Sequence, residues 1–332
     1  MRKEIVVSGI RSTGYLHLGN YFGAMRNYVK MQDDYNCYFF VADYHSLTTH
    51  PKPEDLKKNV FRVVAENIAS GLDPNKVVLY AQSDIPEIPE LYLMLNMLAY
   101  KGELEKVPTF KDKVRQQPDN VNAGLLTYPV LMAADILIHR AVKVPVGKDQ
   151  EQHLEMARNF AQRFASRYGD LFPEPIPFNF GNELIKIQSL DGNGKMSKSE
   201  NLNATIYLTD DDDAIRKKIM KAKSDAGPTE PNSIMPDYVS NLFMLMGLMS
   251  DPEQVNKYRT AFNDCTIRYG DMKKQLAEDV IKFLAPIRDK AKELQQDETH
   301  LRKILKDGAE RARESATATL SAARRMIGIN YY

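Results

Sequence analysis

Three features of the 332-residue sequence predict an α/β protein, with a parallel sheet covered by helices on both faces and a smaller all-helical domain. Short apolar runs alternate with helical periodicity over the first half of the chain. A glycine-punctuated turn comes directly after the first of those runs. Beyond about residue 210 the pattern is helical almost without interruption. With 43% hydrophobic and 27% charged residues, the chain can bury a substantial core and divide into one large and one smaller domain. Forty-five Lys and Arg against 44 Asp and Glu give a formal charge of +1, so any nucleic-acid surface must be a local patch. Cys37 and Cys265 stand far apart, which argues against a disulfide scaffold or a zinc site. His17, His45, His50, His139, His153 and His300 show no metal-ligand spacing. No apolar stretch approaches the roughly 20 residues of a membrane span, and MRKEIVVSGI enters a strand without a signal-type segment. A reducing cytoplasm is the expected location.

The opening unit is EIVVSGIRSTGYLHLGNYFGAM, residues 4–25. Ile5, Val6 and Val7 read as a short buried strand, and Gly9, Gly14, Gly19 and Gly23 punctuate a loop that passes into an amphipathic segment. A helix beginning near Leu18 presents unpaired backbone N–H groups and the positive end of its dipole, with His17 and Asn20 beside it as further donors. These residues fit a phosphate site, and they fit equally an ordinary strand-to-helix turn with a surface histidine. Residues 37–42, CYFFVA, form the second strand and end at Asp43. A turn with Pro51 and Pro53 leads into a helix over 54–70, with Glu54 and Asp55 in its first turn and Gly71 after its end. Residues 77–81 and 141–146 are the third and fourth strands. Ligands of such sheets bind beyond the carboxyl ends of the strands, which selects residues 9–20, 43–45, 82–84 and 147–150.

A helical insertion over about 85–140 separates the third and fourth strands. Residues 91–100 are apolar and rich in Met and Tyr, residues 107–120 are polar with Lys111, Lys113 and Arg115, and residues 124–139 are an apolar helix. Asp135 stands alone there among Leu131, Met132, Ala133, Ala134, Ile136, Leu137 and Ile138. Such a carboxylate is paired, hydrogen-bonded or turned to solvent, and a lone acid on the polar side of a helix is the plainest of these. The spacing of Tyr128, Met132, Asp135 and Ile136 allows another arrangement, in which an aromatic, a thioether and an acid face one cavity. A flat, mostly apolar ligand with one N–H or O–H would suit it.

In the second half, LDGNGKMSKS over 190–199 is a loop with Lys195 and Lys198 as mobile cations. It is suited to closing over a polyphosphate, or it is a solvated basic loop. Residues 211–223 begin acidic and end basic, 225–236 form a loop with three prolines, 237–248 are strongly apolar, and further helices run to Ile327. Arg311, Arg313, Arg324 and Arg325 read mostly as a solvated face rather than an RNA contact.

HLGN at 17–20 after a strand and glycine loop, with KMSKS later at 195–199, resembles the signature pair of class I aminoacyl-tRNA synthetases. SGIRSTGYLHLGN, ADYHSLT at 42–48, GLLTYPVLMAADIL at 124–137 and VPVGKDQEQH at 144–153 are similar to the bacterial-type tryptophanyl-tRNA synthetase family, and the likeness spans essentially the whole chain. Asn20 ends the first motif, as is usual in this subfamily, and Ser12 stands where proline is more common. Neither removes a phosphate-binding donor.

The resemblance implies a Rossmann-type catalytic domain over 1–185, the lysine loop and return over 186–209, and a mostly helical tRNA anticodon-binding region over 210–332. It implies that ATP, brought with Mg²⁺ and no dedicated protein metal site, meets Arg11, Ser12, Thr13, Gly19, Asn20, Gly147, Lys148, Asp149, Ile187, Lys195, Met196, Ser197, Lys198 and Ser199. It places Asp135, Tyr128, Met132, His45 and Gln150 around L-tryptophan, with Asp135 accepting the indole N–H. Catalytic roles fall to His17, Asn20, Lys195, Lys198 and Lys113, the last near the terminal phosphates. The partners implied are tRNA(Trp) and a second copy of the chain in a homodimer. Competing readings are a tyrosyl-tRNA synthetase, a small-molecule nucleotidyltransferase and an inactive RNA-binding paralogue. The intact lysine loop speaks against the last, and the long helical carboxyl-terminal region against the second.

Overall fold

The computed structural model describes residues 3–12, 14–147, 150–178, 185–197 and 201–331. Its centre is a parallel sheet of β1 (Ile5–Arg11), β2 (Asn36–Ala42), β3 (Val78–Ala81), β4 (Lys143–Val144) and β5 (Ile176–Pro177), in the order β3-β2-β1-β4-β5. β2 and β3 are apolar and buried nearly throughout because helices cover both faces of the sheet. Pairing runs from Ile5 opposite Asn36 to Arg11 opposite Ala42, so β1 and β2 end level with one another. The winding reverses between β1 and β4, which opens the ligand-binding crevice of such sheets at the carboxyl end of β1.

The sheet and its helical cover agree with the sequence expectation, and the departures have local causes. The fourth strand pairs only at Lys143–Val144, and β5 has two residues in a run with Pro173, Pro175 and Pro177. Proline lacks a ladder N–H and is tolerated at the sheet edge that β5 occupies, so this strand has almost no sequence signal. Helix Glu151–Tyr168 is a further element absent from the expected order, although Leu154, Ala157, Ala161 and Phe164 recur at helical spacing and are all buried. Helix Ala123–Leu137 packs between that helix and helix Glu87–Asn96. Its Asn122 side chain caps it by accepting from the Leu125 N–H at 3.2 Å.

A second apolar cluster joins Leu16, Leu18, Phe22 and Met25 of the opening unit to Ile187, Leu190 and Met196, and to helices Asp212–Met220, Asp237–Met249 and Tyr269–Gln296. Helix Glu298–Ile327 returns to the sheet, where Ala309, Ala312, Ala316 and Leu320 join the main core. Arg311 and Arg324 are half-buried there, which corrects the solvated-face reading for those two, while Arg313 and Arg325 are exposed in keeping with it. Arg311 donates to the carbonyls of Pro74 and Val77 at 2.7 and 2.8 Å, while Arg313 pairs with Glu87 and Arg324 with Glu90. His139 is a core histidine: it is fully buried, stacked on Tyr38 and bonded to the Tyr80 hydroxyl at 2.9 Å. Burial pushes its imidazole down to about 3, so the ring is neutral. No helix among the described residues is long and apolar enough to cross a membrane.

Candidate active site

The two signature segments meet at the carboxyl end of β1. Leu18 N–H donates to Ile206 O at 3.0 Å, Leu208 N–H donates to Leu16 O at 2.9 Å, and His17 lies opposite Tyr207 in an antiparallel bridge. The lysine loop rises from the same strip as a short hairpin, in which Met196 N–H donates to Ile187 O at 2.9 Å and Ser189 N–H to Gly194 O at 3.1 Å. Gly192 and Gly194 turn the hairpin with φ of 76° and 69°, left-handed values that glycine adopts at low cost. Thr205 ties down the far side by donating its hydroxyl to Ser197 O at 2.8 Å. From beneath, fully buried Glu66 accepts the Leu16 N–H at 3.0 Å, and the Arg62 guanidinium lies 3.9 Å from the centre of the Tyr15 ring.

This pairing changes the expected supply of unpaired donors at the helix start. Leu18 N–H is taken by Ile206 and Asn20 N–H by His17 O at 2.8 Å, because the segment enters the helix as a paired strand. Asn20 turns its carboxamide oxygen onto the His17 N–H at 3.1 Å, which makes it a cap. His17 is 4% exposed and lies over Gly19, where an added Cβ would come within 2.9 Å of its Nδ1. That contact requires the glycine. Beyond Leu18 the helix passes through a π turn at Tyr21–Met25 before regular geometry resumes at Arg26–Met31.

Positive charge gathers instead from two other elements. Arg11 closes β1, and Lys113 comes from helix Pro108–Gln116; burial first, and then the charge of Arg11, bring the Lys113 ammonium down to about 8. Ser12, 2% exposed, bonds to the Ser46 hydroxyl at 2.8 Å and fastens the end of β1 to the turn after β2. Ile187 and Met196 are buried under the hairpin while Lys195 is exposed on it. Gly147 accepts the Gln150 N–H at 2.9 Å. Thr13, Lys148, Asp149, Lys198 and Ser199 lie outside the described residues.

The helix carrying Asp135 ends beside the same crevice. Asp135 is 1% exposed, which excludes the solvent-facing reading of its carboxylate. Gln82, just beyond β3, donates Nε2 to both carboxylate oxygens at 2.8 and 2.9 Å, and His45, just beyond β2, lies with Nε2 3.0 Å from Oδ2. Burial raises the carboxyl pKa, and His45 and Gln82 oppose that rise. A carboxylate offers about four lone-pair positions. These contacts leave room for one further donor.

Tyr128 stands two turns earlier on the same helix, its ring 6.3 Å from that of His45 and 4.7 Å from the Lys113 ammonium. Its hydroxyl bonds to Thr109 and to His153 Nε2, both at 2.6 Å, and His153 Nδ1 bonds to Gln150 Oε1 at 2.8 Å. Asp135, His45, Tyr128 and Gln150 are thus linked into one polar strip, with Met132 half-buried against the main core. The strip and the Arg11–Lys113 pair are joined through Tyr128.

The family described as tRNA synthetases class I (W and Y) matches residues 1–285. A Tryptophan--tRNA ligase of Porphyromonas gingivalis is 58% identical over 326 residues, 98% of this chain and 99% of that one. The chain belongs to the class I synthetase family. The crystal structure of tryptophanyl-tRNA synthetase from Campylobacter jejuni, complexed with ADP and tryptophan, is similar to this synthetase with a TM-score of 0.87 and 34% identity, over 98% of this chain and 99% of that one. Tyrosyl-tRNA synthetase from Aeropyrum pernix, at 18% identity, 92% of this chain, 90% of its own and a TM-score of 0.66, shares the fold. Three residues that help build the synthetase site differ in how much sequence signal they carry. Gln82 falls in a strand-end segment that the sheet rule selects only as a segment, and Thr109 is an ordinary hydroxyl. Glu66 is legible: like Asp135, it is an acid on the buried side of a helix, three residues after Val63.

Proposed function

We propose that this synthetase is a tryptophan--tRNA ligase, which activates L-tryptophan with ATP and transfers it to the 3′ end of tRNA(Trp). The observation that carries the substrate is Asp135, a buried carboxylate with one lone pair to spare at the carboxyl end of a parallel sheet. An indole N–H fits that lone pair. Phenylalanine has no donor and leaves the acceptor unmet; tyrosine has one and must be excluded by shape.

In the first step a tryptophan carboxylate oxygen forms a bond to the α-phosphorus in line as the bond to the pyrophosphate oxygen breaks. In the second, the terminal ribose hydroxyl of tRNA adds to the acyl carbon and AMP leaves. Catalysis is positioning and charge stabilisation. Arg11 and Lys113 approach the phosphates from one side and Lys195 from the hairpin, with Lys198 beside it in the sequence. Mg²⁺ neutralises phosphate charge when it enters with ATP; among the described residues no group of three His, Cys, Asp or Glu is placed to hold a metal. The helical region over 210–332 is assigned to the tRNA anticodon. Leu93, Met97 and Tyr100, exposed at 56%, 75% and 56%, support a homodimer through the insertion, and the cytoplasm is the assigned location.

Amino-acid-dependent ATP–pyrophosphate exchange tests the activity. Exchange with tryptophan and not with tyrosine or phenylalanine is expected; exchange with tyrosine alone overturns the pocket, and none in folded protein overturns the activity. Asp135→Ala is expected to raise the KM for tryptophan by about 1–3 kcal/mol, roughly 5- to 150-fold, and to blunt rejection of phenylalanine. An unchanged KM removes Asp135 from the pocket.

Lys113 predicts a pH dependence. Its ammonium is charged below about 8, so the KM for ATP should be flat there and rise as pH climbs through that value. Lys113→Arg should abolish the rise, since guanidinium keeps its charge. The folded pKa lies below the ordinary 10.5, so the unfolded chain holds more protons between those values. This group therefore makes the fold more stable with rising pH across that window, and lost ATP affinity there is not lost structure.

A further inference from the structure

The hairpin that presents Lys195 is held from behind by a side chain with no part in the chemistry above. Ile187 O and Ser189 N–H are both taken within the hairpin, by Met196 and Gly194, and Gln188 sits directly opposite Lys195. Successive residues of an antiparallel strand point their main-chain groups to alternate sides, so the N–H and C=O of Gln188 face away from the hairpin. Asn241, in helix Asp237–Met249, meets both: its Oδ1 accepts the Gln188 N–H and its Nδ2 donates to Gln188 O, each at 3.3 Å. This carboxamide is 4% exposed and replaces a third strand for the length of one residue. Leu242, Leu245 and Met246 of the same helix share one apolar cluster with Ile187, Leu190 and Met196.

We infer that Asn241 is a positioning residue for Lys195. Packing alone lets the hairpin slide on an apolar surface, because dispersion and burial have no direction. The two-point amide pair supplies direction and fixes the register of Gln188, and with it the height at which Lys195 meets the phosphate chain. This inference rests on Lys195 acting at the phosphates.

Asn241→Asp conserves volume and one acceptor but sets a carboxylate oxygen against Gln188 O. The expected result is a roughly 10- to 100-fold fall in the kcat of tryptophan-dependent exchange, the scale of a misplaced catalytic group, with the KM for tryptophan within about twofold. A purely structural role would lower stability without regard to Lys195. In a Lys195→Ala background, therefore, Asn241→Asp should cost less than about twofold, since the group it positions is gone. An equal cost in both backgrounds, or an unchanged kcat, overturns the inference. The chain contains no tryptophan, so fluorescence titration with added tryptophan checks that each variant is folded. Should the Asp variant fail to fold, Asn241→Ser carries the same two expectations. A wild-type protein without tryptophan-dependent exchange, or a Lys195→Ala variant with full kcat, counts against the parent reading instead.

Discussion

Lys195→Ala lowers the kcat of tryptophan-dependent ATP–pyrophosphate exchange by roughly 100- to 1,000-fold, the scale of one lost transition-state donor, and leaves the KM for tryptophan within about twofold. This is the expected result, and its basis is where the structure invests its order. The hairpin main chain is pinned by Ile187, Ser189 and Thr205, and Met196 is 1% exposed beneath it, with its carbonyl 3.6 Å from the place a Cβ on Gly19 would occupy. The Lys195 side chain is exposed, so truncating it touches no core, and surface changes of this kind stay within about 0.5 kcal/mol of stability. On the function proposed above, a cation held at a fixed root and free at its tip would stabilise charge that develops on the leaving pyrophosphate. Equal losses in kcat and in tryptophan affinity would show that the loop only binds.

The largest effect on stability is expected from Gly308→Ala. Helix Glu298–Ile327 crosses β3 so closely that a Cβ at Gly308 would lie 1.8 Å from Leu79 O and 2.7 Å from its carbonyl carbon. The obstacle is strand main chain, which cannot swing aside as a side-chain tip can. The helix would have to lift from the sheet, drawing Ala309, Ala312 and Ala316 out of their contacts and straining the Arg311 bonds to Pro74 and Val77. Alanine gains about 1 kcal/mol over glycine in helix propensity. Overpacking against backbone outweighs that gain, and the net loss should be about 3 kcal/mol or more by urea unfolding. Gly247→Ala is the control: it sits exposed in helix Asp237–Met249 with nothing within 4 Å of an added Cβ, and it should stabilise by about 0.5–1 kcal/mol. Similar outcomes for the two would refute the close-approach argument.

The parallel sheet was legible because its long strands and flanking helices each carry a complete period of apolar residues. β1 and β2 have seven residues each, and helix Pro53–Ala69 announces itself by an acidic first turn and by Gly71 just past its end. β4 was legible as an apolar run over 141–146, but long-range pairing trims it to two residues, and the two-residue β5 is too short for any period, so pairing alone makes it a strand. The same division holds in the site. HLGN, the lysine loop and the isolated Asp135 could be named from residue type and spacing.

By itself, then, the sequence determined which chemical groups this synthetase possesses and that a parallel sheet carries helices on both faces, since both depend on residue identity and local periodicity. Only the tertiary structure decided how those groups are used. It paired Leu16–Leu18 with Ile206–Leu208, closed Gln82 and His45 on Asp135, and drew Arg311 and Arg324 towards the body of the molecule. Each of these depends on partners distant in the chain. The physical reason is common to all: a buried polar group must find its partner wherever the packed fold brings one, and no local pattern says where that will be.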